Sequence, residues 1–344
     1  MKLARTPGGA AFVPLLALVI AGVFCTELHA NSFLKCPQAK SQRNPDAKSD
    51  TITRPKVSED VCPLVPFTPV ARDGHRGVGF LRKPPGPGSF PAILFIHGGM
   101  VERPAETLKD HLLNAANPSR FLAAGYVVAS ITYRSRDDDP QSELSREDSL
   151  AAFEQVRGLP FVDPKSIVIY GCSGGGDLAL EVAASSSGPC AIVPEEPASF
   201  IFAGIFNAKF PKRGERFVPD DSRPIGDNPR GYYTTEYQKL TRAKIARIRC
   251  PILIIQGDQD PRVFPFNNQV FIPELRALGK KVEVITYPGE PHCFNFNGNG
   301  PRTPHPATAL KAFHDIDVFC RRCIKTSPRT IGAGLVKYVA VDSP

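Results

Sequence analysis

The segment SIVIYGCSGGGDLAL, residues 166–180, joins an apolar run to a glycine-rich turn and then to a helical pattern. Its apolar residues, 167–170, are typical of a fully buried strand in a parallel sheet. Residues 177–184 predict a helix that packs through small side chains. Between them, Gly171-Cys172-Ser173-Gly174-Gly175 matches G-x-S-x-G, and a strand, a sharp turn and a helix are the setting that this nucleophile motif requires.

Ser173 is therefore the candidate nucleophile. A Cβ at Gly171 or Gly175 would collide with the neighbouring strand or helix in so tight a turn, which explains the glycines there. Cys172 is the alternative nucleophile, but a motif centred on it needs glycine at position 170, where the chain has Tyr170.

Composition and charge limit which classes of protein this chain can belong to. The chain has 344 residues, a net charge of +8 and 42% hydrophobic residues, which suits one large α/β domain or two smaller domains. Its lysines and arginines are scattered rather than clustered, which argues against nucleic acid as a partner.

The N-terminal residues resemble a targeting segment. Lys2 and Arg5 precede an apolar run over residues 10–24, and Ala30 offers a cleavage position. These features predict a secretory signal peptide over residues 1–30, a secreted or periplasmic location and no stable membrane insertion once the signal is cleaved. Eight cysteines remain beyond Cys25, and an even number in an exported chain permits disulfides.

The rest of the chain divides into an irregular lead-in (31–75), a catalytic domain (76–323) with a cap insertion at about 197–243, and a tail (324–344) of unassigned role. In the catalytic domain, apolar strands alternate with helical patterns, which predicts a doubly wound, mostly parallel sheet. Ligand sites in such sheets lie at the carboxyl ends of the strands, where all the candidate catalytic groups fall.

His292 and Asp260 are the candidate base and acid. His292 lies in a loop between the last predicted strand and the closing helix, and a serine hydroxyl needs an imidazole to accept its proton. Asp258 and Asp260 both follow a buried strand. Asp260 is preferred because Asp258 falls within the turn itself, where aspartate commonly caps its own backbone.

Residues 80–319 resemble the α/β-hydrolase superfamily, especially its prolyl-oligopeptidase and dienelactone-hydrolase-like branches. The resemblance rests on the His97-Gly98-Gly99 loop, Tyr133-Arg134, the serine motif and the order Ser173, Asp260, His292. It implies an α/β-hydrolase fold and an oxyanion hole formed by Gly174 with Gly98 or Gly99, each donor typically contributing ~3 kcal/mol. The implied activity is hydrolysis of a small-molecule carboxylic ester through an acyl-enzyme, without a cofactor or metal.

The cysteines beside the motif carry a second resemblance. Cys172 precedes the candidate nucleophile and Cys293 follows the candidate base, which is similar to the tannase and fungal feruloyl esterase family. That resemblance implies a disulfide between them, although the cap here is much smaller than in that family. Cys320 and Cys323 form a C-x-x-C pair for which the sequence shows no second ligand pair, so a structural role is expected.

Two other functions remain open. A prolyl-oligopeptidase-type serine peptidase is the first, although residues 31–75 are too few for a propeller domain. A non-catalytic binding protein with the same fold is the second. The aromatic cap residues Phe202, Phe206, Tyr232 and Tyr233 fit either a cap core or a substrate wall.

Overall fold

A computed structural model describes residues 52–134, 143–205 and 223–341. Eight strands form the central sheet in the order β2-β3-β5-β4-β6-β7-β8-β9, and β1 and β10 form a separate antiparallel pair. The ranges in chain order are β1 (Thr53–Val57), β2 (Leu64–Phe67), β3 (Gly79–Arg82), β4 (Phe90–Ile96), β5 (Val127–Ile131), β6 (Val162–Cys172), β7 (Ala191–Glu195), β8 (Ile252–Gly257), β9 (Val282–Tyr287) and β10 (Val336–Ala340). Strands β4 to β9 pair in parallel, and β3 runs antiparallel to both of its neighbours, which confirms the mostly parallel sheet.

Helices cover both faces of the sheet. They are α1 (Ala105–Asn114), α2 (Ala116–Ala123), α3 (Glu143–Arg157), α4 (Gly174–Ser185), α5 (Ser199–Phe202), α6 (Arg223–Asp227), α7 (Pro229–Tyr232), α8 (Thr235–Arg247), α9 (Phe264–Phe266), α10 (Ile272–Ala277) and α11 (Pro306–Cys323). A π-helical turn at Asn267–Phe271 joins α9 to α10. None of the described helices is long and apolar enough to span a bilayer.

Strand β6 lies in the middle of the core. Residues 167–170 are fully buried, and their side chains alternate between two hydrophobic clusters. Ile167 and Ile169 pack into the first cluster, while Val168 and Tyr170 pack into the second. A strand that is covered on both faces reads as a continuous apolar run, which is the pattern seen in the sequence.

The lead-in differs from the prediction, and the tail pairs with it. Residues 31–75 were expected to be irregular, but β2 is the edge strand of the central sheet, and β1 pairs with β10 of the tail. The expected boundary at residue 76 is therefore wrong. Pro55 and Pro66 interrupt the alternating pattern of these short strands, and the pairing of β1 with β10 joins residues at opposite ends of the chain.

Arg82 fixes the lead-in to the sheet. It is 1% exposed, and its guanidinium donates hydrogen bonds to the carbonyls of Val57 (2.6 Å), Cys62 (3.0 Å) and Leu112 (3.3 Å). Together with the carbonyl of Ser58 (3.2 Å), these acceptors satisfy a buried charge that would otherwise be costly.

The predicted cap is helical where the structure describes it, in α5 to α8. Phe202 is fully buried, and Tyr232 and Tyr233 pack at the margin of the core, so these three belong to the cap interior. Phe206 and the predicted signal peptide lie outside the described residues.

Candidate active site

Ser173 occupies a strained turn between β6 and α4. Its φ of 52° and ψ of −118° are unfavourable for an L-residue, so the surrounding contacts must hold it there. Its N–H donates to the carbonyl of Glu195 (2.9 Å), and its own carbonyl accepts from the N–H groups of Asp177 and Ala198, both at 3.0 Å. The side chain is half-buried, whereas that of Cys172 is buried, which favours Ser173 as the nucleophile.

The glycines of the motif permit close backbone contacts. A Cβ on Gly171 would lie 2.1 Å from the carbonyl oxygen of Gly175, and a Cβ on Gly175 would lie 2.1 Å from that of Ile96. The turn is thus pressed against the end of β4, as the sequence predicted.

The predicted oxyanion glycines lie beside Ser173. A Cβ on Gly98 would be 3.4 Å from the Cβ of Ser173, and a Cβ on Gly174 would be 2.3 Å from the carbonyl oxygen of Gly99. The Tyr133 hydroxyl donates to this Gly99 carbonyl at 2.7 Å, and the Tyr133 ring stacks on His97 at 4.4 Å. Tyr133 therefore holds the loop that would supply one oxyanion donor.

His292 and Asp260 form the predicted acid–base pair. Nδ1 of His292 lies 2.6 Å from Oδ2 of Asp260. Oδ1 of Asp260 accepts from the N–H groups of Arg262 (2.9 Å) and Val263 (3.2 Å). Asp258 instead accepts from the N–H of Gly289 at 2.8 Å, so it bonds the turn after β9 rather than capping its own turn as expected.

The pair polarises the imidazole. Burial alone would lower the pKa of His292, but the charge of Asp260 and the hydrogen bond to it raise that pKa well above its usual value. Burial likewise opposes ionisation of Asp260, yet the charge of His292 and the hydrogen bonds hold the pKa of Asp260 below its usual value. The Ser173 hydroxyl has no hydrogen-bond partner among the described residues, and such bonds in free hydrolases often tighten only when substrate binds.

Two buried glutamates at the end of β7 were not predicted to have a role. Oε2 of Glu196 lies 3.2 Å from Nδ1 of His292 and also accepts from the N–H of Cys293. Oε1 of Glu195 accepts from the N–H groups of Asn295 (2.8 Å) and Phe296 (3.2 Å). The two carboxylates fix the loop that carries His292. The signal was available, because two adjacent acids follow a buried strand at the ligand edge of the sheet.

Glu195 also belongs to a buried network with Tyr170 and Asn295. The Tyr170 hydroxyl lies 2.5 Å from Oε2 of Glu195 and accepts from Nδ2 of Asn295 at 3.0 Å. Burial, assisted by the nearby charge of Glu196, raises the pKa of Glu195 to about 8. A carboxyl that is neutral at moderate pH therefore lies beneath the site.

Cys172 and Cys293 face each other. Burial and a hydrogen bond that the Cys293 thiol donates to the Cys172 side chain raise the pKa of Cys293 well above its usual value, so the two thiols are in contact. Both are free thiols in the structure, and the disulfide between them stays a prediction. Their contact joins the residue before Ser173 to the residue after His292.

Cys320 and Cys323 have cysteine neighbours that the sequence did not reveal. Burial raises the pKa of Cys190 to about 12, and the nearby thiols of Cys323 and Cys250 add to this effect. Cys190 and Cys250 precede β7 and β8, so this cluster lies at the opposite edge of the sheet from Ser173.

One group of residues could offer three donors to a metal ion in the described parts of the chain. It comprises Glu196, His292 and Cys293, whose donor atoms lie within 4.8 Å of one another. In the structure Nδ1 of His292 faces Asp260 and the Cys293 thiol faces Cys172, so these donors are already committed to the acid–base pair and the thiol contact.

A cavity of about 360 Å³ borders the oxyanion loop. Its walls include Gly98, Cys172 and Cys293, together with Arg103, His111 and Arg302, but not Ser173 or His292. The cavity therefore adjoins the catalytic groups without containing them.

Comparisons with known proteins identify the family and the fold of this chain. The sequence profile of the prolyl oligopeptidase family matches residues 117–326, more than half of the chain. An uncharacterized peptidase, YtmA of Bacillus subtilis, is 27% identical over 233 residues, which cover 64% of this chain and 83% of that protein.

Two solved structures have a similar fold. A puromycin-hydrolyzing peptidase of Mycobacterium tuberculosis has a TM-score of 0.57 and 19% identity, and the match covers 78% of this chain but only 40% of that protein. A hyperthermophilic esterase of Pyrobaculum calidifontis has a TM-score of 0.52 and 20% identity over 75% of this chain and 85% of its own. At such identities these likenesses show the α/β-hydrolase fold alone.

Proposed function

The chain belongs to the prolyl oligopeptidase family of serine hydrolases, and from that premise we propose that it is an exported enzyme that hydrolyses carboxylic esters. The observation that carries the proposal is the strained Ser173 turn, set beside the oxyanion glycines and a His292–Asp260 pair at 2.6 Å. This arrangement can activate a hydroxyl and stabilise a tetrahedral oxyanion.

In the proposed reaction, Ser173 Oγ attacks the ester carbonyl while His292 accepts its proton. The carbonyl oxygen becomes an oxyanion that receives hydrogen bonds from the N–H of Gly174 and one N–H of the Gly98–Gly99 loop. His292 then returns the proton to the departing alkoxide, which leaves as the alcohol. The acyl group stays on Ser173 as an ester.

Water completes the cycle by the same route. His292 accepts a proton from a water molecule, which attacks the acyl-enzyme carbonyl, and Ser173 leaves with that proton as the free hydroxyl. Asp260 keeps the proton of the neutral imidazole on Nδ1, so that Nε2 is available as the base. The carboxylic acid product then departs.

A peptidase is the second candidate, because the Bacillus subtilis and Mycobacterium tuberculosis proteins are described as peptidases. The coverage does not separate the two activities, because the chain covers 83% of the Bacillus protein and 85% of the Pyrobaculum esterase. The substrate test below distinguishes them.

The test compares substrates and traps the intermediate. Purified protein is given short p-nitrophenyl esters, a feruloyl or galloyl ester and a proline peptide amide, and acyl-Ser173 is sought by mass spectrometry after rapid acid quench. Ester turnover with an acyl adduct on Ser173 supports the proposal. Amide turnover with weak ester turnover would support the peptidase instead, and no turnover with any substrate would support a binding protein.

We further propose that Cys172 and Cys293 form a disulfide in the exported protein. Their thiols are already in contact, so a small-molecule disulfide could oxidise them by exchange, with two thiols of the reagent released. The bond would tie the His292 loop to the serine turn. Peptide mapping without reductant tests it, and two alkylatable thiols in protein recovered from the growth medium or periplasm would exclude it.

A further inference from the structure

Nδ1 of His292 faces two carboxylates rather than one. Oδ2 of Asp260 lies at 2.6 Å and Oε2 of Glu196 lies at 3.2 Å from this nitrogen. A serine triad needs one carboxylate to orient the imidazole. The second carboxylate comes from a different strand, since Asp260 follows β8 and Glu196 follows β7.

Glu196 is held in a costly conformation. It has a φ of 43°, and in the described parts of the chain only Ser173 and Cys293 share a positive φ among residues other than glycine. All three lie at the site. A left-handed residue of this kind persists only where its surroundings impose it, and such residues concentrate at functional sites.

The hydrogen bonds of Glu196 connect the segment that carries Asp260 to the loop that carries His292. Its side chain is fully buried, and its Oε1 accepts from the N–H of Gly257 at 2.6 Å. Its Oε2 accepts from the N–H of Cys293, the residue after His292. Gly257 ends the strand that leads to Asp260. A buried carboxylate without hydrogen-bond donors would destabilise the fold, and these backbone donors offset that destabilisation.

We propose that Glu196 is a positioning residue that shares with Asp260 the task of orienting His292. This inference rests on the proposed serine hydrolase function. Either carboxylate can accept the Nδ1 proton, so the imidazole keeps Nε2 free when one of them is lost. Loss of a sole triad carboxylate typically lowers kcat by about 10⁴-fold. Loss of Asp260 alone should therefore lower kcat by less than 10⁴-fold in this protein.

The test is a double-mutant cycle on a p-nitrophenyl ester that the wild-type protein has first been shown to hydrolyse. Asp260→Ala should lower kcat by about 100-fold and Glu196→Gln by about 10-fold, both with KM nearly unchanged. The double variant should lose about 10⁴-fold or more, which exceeds the product of the single losses. A merely structural role for Glu196 predicts no such excess.

Glu195→Gln is the matched control. Glu195 anchors the same loop through Asn295 and Phe296, so its loss should combine with that of Asp260 as a simple product. A 10⁴-fold loss in Asp260→Ala alone, with no further loss on adding Glu196→Gln, would overturn the proposal.

A spectroscopic measurement needs no Glu196 variant. In Asp260→Ala the Nδ1 proton of His292 should still give a far-downfield proton NMR signal, because Glu196 accepts it. Disappearance of that signal in the folded variant would also overturn the inference. Since wild-type ester turnover is measured first, failure of the proposed function would be recognised separately.

Discussion

The hydroxyl of Tyr133 donates a hydrogen bond of 2.7 Å to the carbonyl of Gly99, and this carbonyl in turn lies against Gly174, the residue after the nucleophile. The same hydroxyl lies 3.1 Å from the carbonyl of His97. One side chain at the end of β5 therefore sets the shape of the whole oxyanion loop.

Tyr133→Phe tests this relationship. The variant keeps the ring that stacks on His97 but loses the hydroxyl, so the loop is less well ordered for the oxyanion. We expect kcat for ester hydrolysis to fall by about 10-fold, equivalent to ~1.4 kcal/mol, with KM within about twofold of wild type. A fall in thermal stability with kcat unchanged would mean that the bond only stabilises the fold.

The activity should depend on the ionisation of His292. Asp260 raises the pKa of His292, and the base works only when neutral, so kcat/KM should rise with pH through a midpoint above 6.5. Removing the negative charge in Asp260→Ala should move this midpoint to lower pH. The pH profile of kcat/KM measures both, and a midpoint that stayed in place would mean that Asp260 does not interact with the base.

Stability should depend on the ionisation of Glu195. The pKa of this carboxyl is raised from 4.5 to about 8, so its contribution is present in full below pH 4.5 and is lost as the pH rises through 8. Urea unfolding between pH 5 and 9 should show the free energy of unfolding falling by roughly 4 kcal/mol more in wild type than in Glu195→Gln. Parallel curves for the two proteins would contradict the assignment.

Gly175→Ala should disrupt the fold. The added Cβ would lie 2.1 Å from the carbonyl oxygen of Ile96 and 2.5 Å from that of His97, and neither backbone atom can easily move. We expect a loss of at least ~3 kcal/mol in the free energy of unfolding, or failure to fold. Gly332→Ala is the control, because nothing lies within 4 Å of its added Cβ and its φ is −54°. Equal stability of the two variants would contradict the close contact.

The serine turn and the order of the three catalytic candidates were readable from the sequence because their signals are local. Residues 167–170 form a buried strand, and Ser173 directly follows that strand across a glycine turn. His292 and Asp260 each follow a strand as well, so the parallel sheet alone places them at one edge. Their 2.6 Å contact follows from that common edge.

The contacts that hold the catalytic residues in place could not be predicted from the sequence, because they depend on strand order and register. Glu196 reaches Cys293 only because β7 lies beside β8 and the loop after β9 folds back across both. The β1–β10 pair joins Thr53 to Ala340, and Arg82 reaches carbonyls in three separate segments. No local pattern marks a contact of this kind.

Hydrolysis of a p-nitrophenyl ester by Ser173→Ala tests whether Ser173 is the nucleophile of an esterase. Ser149→Ala is the matched control, since it removes a buried hydroxyl that donates to the carbonyl of Ser145 within α3. We predict that kcat falls by at least about 10⁴-fold in Ser173→Ala and stays near wild type in Ser149→Ala. Ester turnover that survives in folded Ser173→Ala would contradict the account.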